Sequence, residues 1–222
     1  MTEVSRLYSA RDMADALFQS GAVLVGKNVD EFPTKNGGRT GVKWDIENVL
    51  AHPKDHKRTV LRAFGAAAYQ NMAARRFRYD RIVGIPNGMN TFASSLADML
   101  SMGQLLITKA EVEGGTGEIS GDANVDQHHY KLMFVEDVLT TGKSVADTAK
   151  VFDKKDHEAG LVLALMTRNK HAVETLADKL HTPVRALYTS VELAKALVKP
   201  GGITEEQLSW IEADFEKPIA KY

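Results

Sequence analysis

From about residue 81 onward the chain alternates short apolar runs with segments of helical period, and this alternation limits the fold more than any other feature. RIVGI (81–85), GQLLIT (103–108), KLMFVED (131–137), LVLALMT (161–167) and VRALYT (184–189) read as strands. Between and after them NTFASSLADML (90–100), KSVADTAKVFDKKD (143–156), AVETLADKL (172–180), VELAKALV and EEQLSWIEADF read as helices. Strands that alternate with helices make βαβ units and a mostly parallel sheet. Runs that are apolar throughout, rather than at every second position, belong to strands buried on both faces. The N-terminal part is built differently. Residues 5–20 place Leu7, Met13, Ala14 and Leu17 on one helical face, FPTKNGGRTG reads as turns and a hairpin, and VKWDI (42–46) as a strand. HKRTVLRAFGAAAYQNMAARRF then reads as a long helix with Val60, Phe64, Ala67 and Ala68 on one side. The expected organisation is an α/β protein with an N-terminal hood over 1–54 and a core over 55–222.

Composition removes several classes of chemistry. Without cysteine there is no disulfide scaffold, thiolate zinc site or thiol nucleophile. The 28 basic and 29 acidic residues leave no bulk attraction for nucleic acid, so none is expected as a partner. No apolar run reaches the roughly 18 residues of a membrane span, and MTEVSRLYSARDMADALF lacks the apolar stretch of a signal peptide. The expectation is a cytoplasmic protein with no membrane partner.

The chemistry concentrates in one segment, Leu132 to Ser144. A buried strand ends in Glu136 and Asp137, a Thr/Gly loop follows, and a helix begins. In open α/β sheets ligands bind beyond the carboxyl ends of the strands. A loop of small residues turns backbone N–H groups towards one point, and the following helix adds its positive end, which together suit a phosphate monoester. Thr140, Thr141 and Ser144 offer hydroxyls, and Lys143 a charge. Glu136 and Asp137 would repel a phosphate, and suit sugar hydroxyls or a divalent cation with oxygen ligands. Gly142-Lys143-Ser144 also spells the end of a Walker loop, but that motif needs a glycine where Asp137 stands.

The strand ending in two acids, followed by Val138-Leu139-Thr140-Thr141-Gly142-Lys143-Ser144, resembles the phosphoribosyl pyrophosphate (PRPP) motif of type I phosphoribosyltransferases. Within that family the chain resembles the orotate enzymes over roughly residues 10–215. Phe32 to Arg39 resembles their N-terminal hairpin, Lys43-Trp44-Asp45-Ile46 and Ala51-His52-Pro53 a later strand and turn, Arg81 to Pro86 the strand and turn that contact pyrophosphate, and Leu165 to Arg168 a Leu-x-Asp-Arg segment. The resemblance implies a mostly parallel central sheet flanked by helices, with a small hood. It implies Val138 to Ser144 as holders of the 5-phosphate, and Glu136, Asp137 and Lys109 as the catalytic group. Glu136 and Asp137 would meet the ribose hydroxyls directly or through magnesium, the implied cofactor. Lys35, Trp44, Asn87 and Arg168 would line the base and pyrophosphate sites, with Arg168 paired to the orotate carboxylate, and a homodimer is implied as well.

The match is weakest at KAEVEGGTGEISGDANVDQHH (109–129), read as a long mobile loop that closes over the site. The family's lid carries two lysines and a His or Tyr; here Lys109 matches, and Val112 and Gly114 stand at the other places. Asn87-Gly88 replaces the family's usual Tyr-Lys or Tyr-Thr. His128 and His129 invite a metal, but neighbours in a strand point to opposite sides. Three readings stay open: orotate as the base, another base including a purine, and a PRPP- or nucleotide-binding relative without turnover.

Overall fold

A computed structural model describes residues 8–33, 39–46, 55–75, 79–86, 88–114, 118–198 and 201–219. Helix α1 (Ala10–Gln19) starts at a capping box, in which the Ser9 hydroxyl accepts from the Asp12 N–H and the Asp12 carboxylate accepts from the Ser9 N–H. Its buried face holds Met13, Ala14, Ala16 and Leu17, as the periodicity requires, while Leu7 lies outside the described residues. Two short antiparallel pairs follow: β1 (Val23–Val25) with β4 (Val42–Trp44), and β2 (Phe32–Pro33) with β3 (Arg39–Thr40), the hairpin expected from the Pro/Gly-rich stretch. The long helix α2 (Asp55–Arg75) buries Val60, Phe64, Ala67 and Ala68, the predicted face.

The centre of the molecule is a five-stranded parallel sheet of β5 (Arg81–Gly84), β6 (Gly103–Leu105), β7 (Lys131–Leu139), β8 (Glu158–Thr167) and β9 (Val184–Thr189), in the order β6-β5-β7-β8-β9. The helices are α3 (Asn90–Leu100), the single turn α4 (Lys109–Val112), α5 (Lys143–Asp153), α6 (Ala172–Leu180), α7 (Ser190–Val198) and α8 (Glu205–Glu216). Successive strand residues face opposite sides. Ile82, Met133, Val135, Leu161, Leu163 and Leu165 join one core with Phe64, Phe92 and Leu193, covered by α1, α2, α3 and α7. Val83, Leu132, Phe134, Val162 and Ala164 join a second core with Val145, Phe152 and Leu176, covered by α5 and α6. Both faces are therefore buried, which is why the strands read as unbroken apolar runs.

Boundaries differ from the reading of the sequence at two informative places. Strand β7 runs through Val138 and Leu139, which pair with Met166 and Thr167 of β8, so these two residues are strand and the loop after them is shorter than expected. Helix α5 ends at Asp153, not at Asp156: Asp156 takes a positive φ of 62° and the chain turns back, the His157 N–H bonding to the Phe152 carbonyl. Among the described residues no helix is long and apolar enough to cross a membrane.

Candidate active site

The strand order locates the site independently of any motif. The first strand of the sheet, β5, lies between β6 and β7, so the chain leaves it in one direction for β6 and returns past it to β7. Ligands of such sheets sit beyond the carboxyl ends at this reversal. Two segments meet there: Ile85-Pro86 with the turn to Met89 after β5, and Glu136 to Ser144 at the end of β7. The Ile85 N–H donates to the Val135 carbonyl at 3.0 Å and joins the two. Gly84 permits this turn, since a Cβ there would come within 2.8 Å of the Asn90 amide nitrogen. Asn87 lies outside the described residues, as does Lys35.

At the end of β7 the loop consists of Thr140, Thr141 and Gly142. Gly142 has φ +81° and is the N-cap of α5, where its carbonyl accepts from the Ala146 N–H at 3.0 Å. An L residue is strained in that conformation, and a Cβ would also stand 3.1–3.2 Å from the Leu176 side chain of α6. The Thr141 hydroxyl accepts from the Lys143 N–H at 3.2 Å and holds the loop against the first turn. The early N–H groups of α5 have no intrahelical acceptor and carry the positive end of its dipole. Thr140, Lys143 and Ser144 are exposed and Leu139 is buried, so the cradle is the loop and first turn rather than the whole stretch from Val138. Lys143 turns back along its helix to pair with Asp147, so the phosphate subsite relies on amides and hydroxyls more than on that charge.

Glu136 is 9% exposed and Asp137 half-buried. A Glu136 oxygen accepts from the Asp137 N–H at 3.0 Å, and an Asp137 oxygen from the Val138 N–H at 2.6 Å. Both carboxylates are thus fixed beside the loop by backbone donors. Among the described residues no group of three or more His, Asp or Glu is placed to hold a metal. Two oxygen-only side chains next to a phosphate cradle fit magnesium in its usual manner, bound by one or two carboxylates together with ligand phosphates.

Arg168 follows β8 at the same end of the sheet, and its N–H donates to the Leu139 carbonyl at 2.8 Å, next to the phosphate loop. Its guanidinium is shared by distant parts of the chain, with Nη2 at 2.5 Å from an Asp214 oxygen and 3.5 Å from the Thr40 hydroxyl. Neither partner was singled out from the sequence. Trp44 is 7% exposed and packed in the first core. Lys109 is exposed on α4 and lies 3.4 Å from Glu113.

The stretch 109–129 is not one open loop. Leu106 and Ser120 form an antiparallel bridge, Val125–Gln127 is a turn of 3₁₀ helix, and Asp122 accepts from Arg81 at 2.8 Å and from the Tyr130 hydroxyl at 2.6 Å. These donors and the Asn124 N–H hold the Asp122 carboxyl well below the usual carboxylate range, and Asp122 in turn pushes the Tyr130 phenol up. His128 and His129 lie in the turn before β7 rather than in a strand. His129 sits 3.7 Å from Asp156 and 3.8 Å from Glu158, and His128 lies against the Tyr130 ring.

No protein-family model matches the chain. It is 25% identical to the orotate phosphoribosyltransferase of Caenorhabditis elegans over 94% of its length and 86% of that protein's. It is 24% identical to the enzyme of the same name from Pyrococcus horikoshii over 88% and 97%. Among solved structures, the orotate phosphoribosyltransferase of Aeropyrum pernix superposes with a TM-score of 0.65 at 25% identity, covering 85% of this chain and 99% of that one. The Leishmania donovani UMP synthase gives 0.76 at 20% identity; this chain spans 92% of its own length there and 42% of that longer protein. The Mycobacterium tuberculosis orotate phosphoribosyltransferase, solved with PRPP bound, gives 0.60 at 16% identity. The phosphate loop and paired acids lie at the sheet's reversal point, and the chain is similar over most of its length to orotate phosphoribosyltransferases and shares the fold of the type I phosphoribosyltransferases.

Proposed function

We propose that the chain transfers the 5-phosphoribosyl group of PRPP to orotate, giving orotidine 5-phosphate and pyrophosphate in pyrimidine nucleotide synthesis. The observation that carries the reading is the Thr140-Thr141-Gly142 cradle opening α5 directly beside Glu136 and Asp137. The cradle receives the 5-phosphate, and the two carboxylates, pinned by backbone N–H groups, accept the ribose hydroxyls. Carboxylates fixed before the reaction need no reorganisation as positive charge develops at C1. The C1–O bond breaks with its electron pair leaving on pyrophosphate, an orotate ring nitrogen bonds to C1, and that nitrogen's proton is lost. Glu136 and Asp137, together with ligand oxygens, would hold magnesium, which would supply neutralisation of the pyrophosphate charge. Arg168 presents a planar donor fork suited to the orotate carboxylate. By the resemblance Lys35, Trp44 and Asn87 belong to the base and pyrophosphate sites and Lys109 to the catalytic group, the 109–129 stretch is a lid and the protein a homodimer; the cytoplasmic location is the one expected from the composition.

A second reading, weak turnover or another base, is favoured by one feature: Arg168 and Lys109 are both engaged by acids of the same chain. The assay is loss of orotate absorbance with PRPP and magnesium. Turnover supports the proposal. Calorimetric PRPP binding without orotate loss overturns it in favour of the second reading, as does turnover of a different base alone.

A further inference from the structure

Asp214 stands against the guanidinium to which the reading above assigns the orotate carboxylate, and the inference rests on that reading. The Asp214 oxygen is 2.5 Å from Arg168 Nη2, with the two side chains 24% and 15% exposed. Asp214 is not a wandering surface acid. The end of α8 is stitched to the turn after β8: the Asn169 side-chain amide donates to the Lys217 carbonyl at 2.6 Å, the Lys170 N–H to the Phe215 carbonyl at 3.1 Å, and Lys170 pairs with Glu216. The other Asp214 oxygen lies 3.2 Å from Lys217. Thr40, from the N-terminal hairpin, completes the surroundings of Arg168 Nη2. Arg168 therefore already has a carboxylate partner, delivered by an anchored helix end 46 residues away in sequence.

We propose that Asp214 is a specificity-determining residue of the base site: an internal carboxylate that competes with the carboxylate of the base for Arg168. A guanidinium carries five donors in a fixed fork, so Asp214 on Nη2 leaves other edges open to a ligand. An arriving carboxylate nevertheless meets a cation whose charge is already balanced, with a like charge beside it. Asp214 thereby lowers the preference for carboxylated over uncarboxylated ligands, while its hydrogen bond keeps the fork in place. Asn at this position keeps an acceptor of the same shape and removes only the charge.

The test is calorimetric binding of orotidine 5′-monophosphate, which carries the carboxylate, and uridine 5′-monophosphate, which lacks it, to the full chain. In Asp214→Asn the preference for the first over the second rises about tenfold, the scale of one modest charge interaction. Binding of uridine 5′-monophosphate stays at the wild-type level and reports an intact fold, a readout that a merely structural role for Asp214 would disturb. Should Asp214→Asn fail to fold, Asp214→Ser, which also removes the charge, carries the same expectation. A preference that is unchanged or smaller, while Arg168→Ala abolishes the wild-type preference, overturns the role of Asp214 and leaves the proposed function standing. A preference untouched by Arg168→Ala removes Arg168 from the base site and the inference with it. Wild-type protein that binds neither nucleotide overturns the proposed function and the inference together.

Discussion

Replacing Gly142 by alanine tests the phosphate cradle with one methyl group. At φ +81° a non-glycine residue costs about 1–2 kcal/mol. The new Cβ would also stand 3.1–3.2 Å from three Leu176 side-chain atoms, so Leu176, fully buried, must shift by a few tenths of an ångström. Strain and crowding together amount to about 2 kcal/mol. For a chain of this size that lowers the melting temperature by about 4–8 °C. The backbone can relieve the strain only by rotating Gly142, which swings the amides at the start of α5 away from their common point. On the proposed function, ribose 5-phosphate at a hundredfold excess over Kd stabilises the wild-type protein by about 2.7 kcal/mol. Gly142→Ala loses most of that ligand-dependent rise as well as the basal stability. The measurement is a pair of thermal melts for each protein, with and without ribose 5-phosphate. A variant that melts like wild type and keeps the full ligand shift would refute both the requirement for glycine and the placement of the 5-phosphate.

Asp137→Asn keeps the shape of the side chain and removes the charge that the proposed function assigns to the ribose; kcat/KM for PRPP falls about 10–100-fold, and an unchanged value excludes Asp137 from the ribose site. His157 supplies a pH dependence. It is 3% exposed, its Nδ1 accepts from the Tyr130 N–H at 3.4 Å, and burial pushes its pKa below the ordinary 6.5. The folded state therefore holds the neutral ring and the unfolded chain binds the extra proton, so stability is full above about pH 6.5 and declines as pH falls from there towards the folded pKa. Urea midpoints at about pH 8 and pH 5.5 differ less in His157→Gln than in wild type, and an equal difference removes His157 as the source. Tyr130→Phe deletes the hydroxyl that donates to Asp122 at 2.6 Å. It costs about 1–3 kcal/mol and speeds hydrogen exchange over residues 118–130, whereas unchanged exchange would show that Arg81 alone pins this arm.

Local chemistry was legible in the sequence and long-range pairing was not. Helices 90–100 and 172–180 and strand 184–189 have the bounds that periodicity and flanking residues predict. Strand β7 runs two residues beyond its prediction because Glu136 and Asp137 look like an ending, while what continues the strand is its ladder with Met166 and Thr167. The phosphate cradle could be read because its donors are contiguous. The partners of Arg168 could not, since Asp214 and Thr40 lie 46 and 128 residues away and neither sits in a motif. The order of the strands was also hidden, yet it supplies the strongest independent placement of the site, because the reversal between β6 and β7 falls where the motif ends.

Three of the cations expected to meet anionic ligands, Lys109, Lys143 and Arg168, are held by acids, and the settings of Lys109 and Arg168 make those two different in kind. Lys109 and Glu113 lie one helical turn apart with side chains 61% and 63% exposed. Such a pair is worth about 0.3–0.5 kcal/mol, so a pyrophosphate draws Lys109 away at almost no cost. Arg168 and Asp214 are 15% and 24% exposed, and the helix carrying the acid is fastened to the turn carrying the base. Separating a largely buried pair leaves a charge without compensation, which costs several kcal/mol unless another anion takes the place of the first. Lys109 therefore answers to any anion, whereas Arg168 stays with Asp214 and meets a ligand carboxylate only through the edges of the fork that Asp214 leaves open. On the proposed function, that asymmetry puts selection of the base at the end of β8 rather than in the 109–129 stretch.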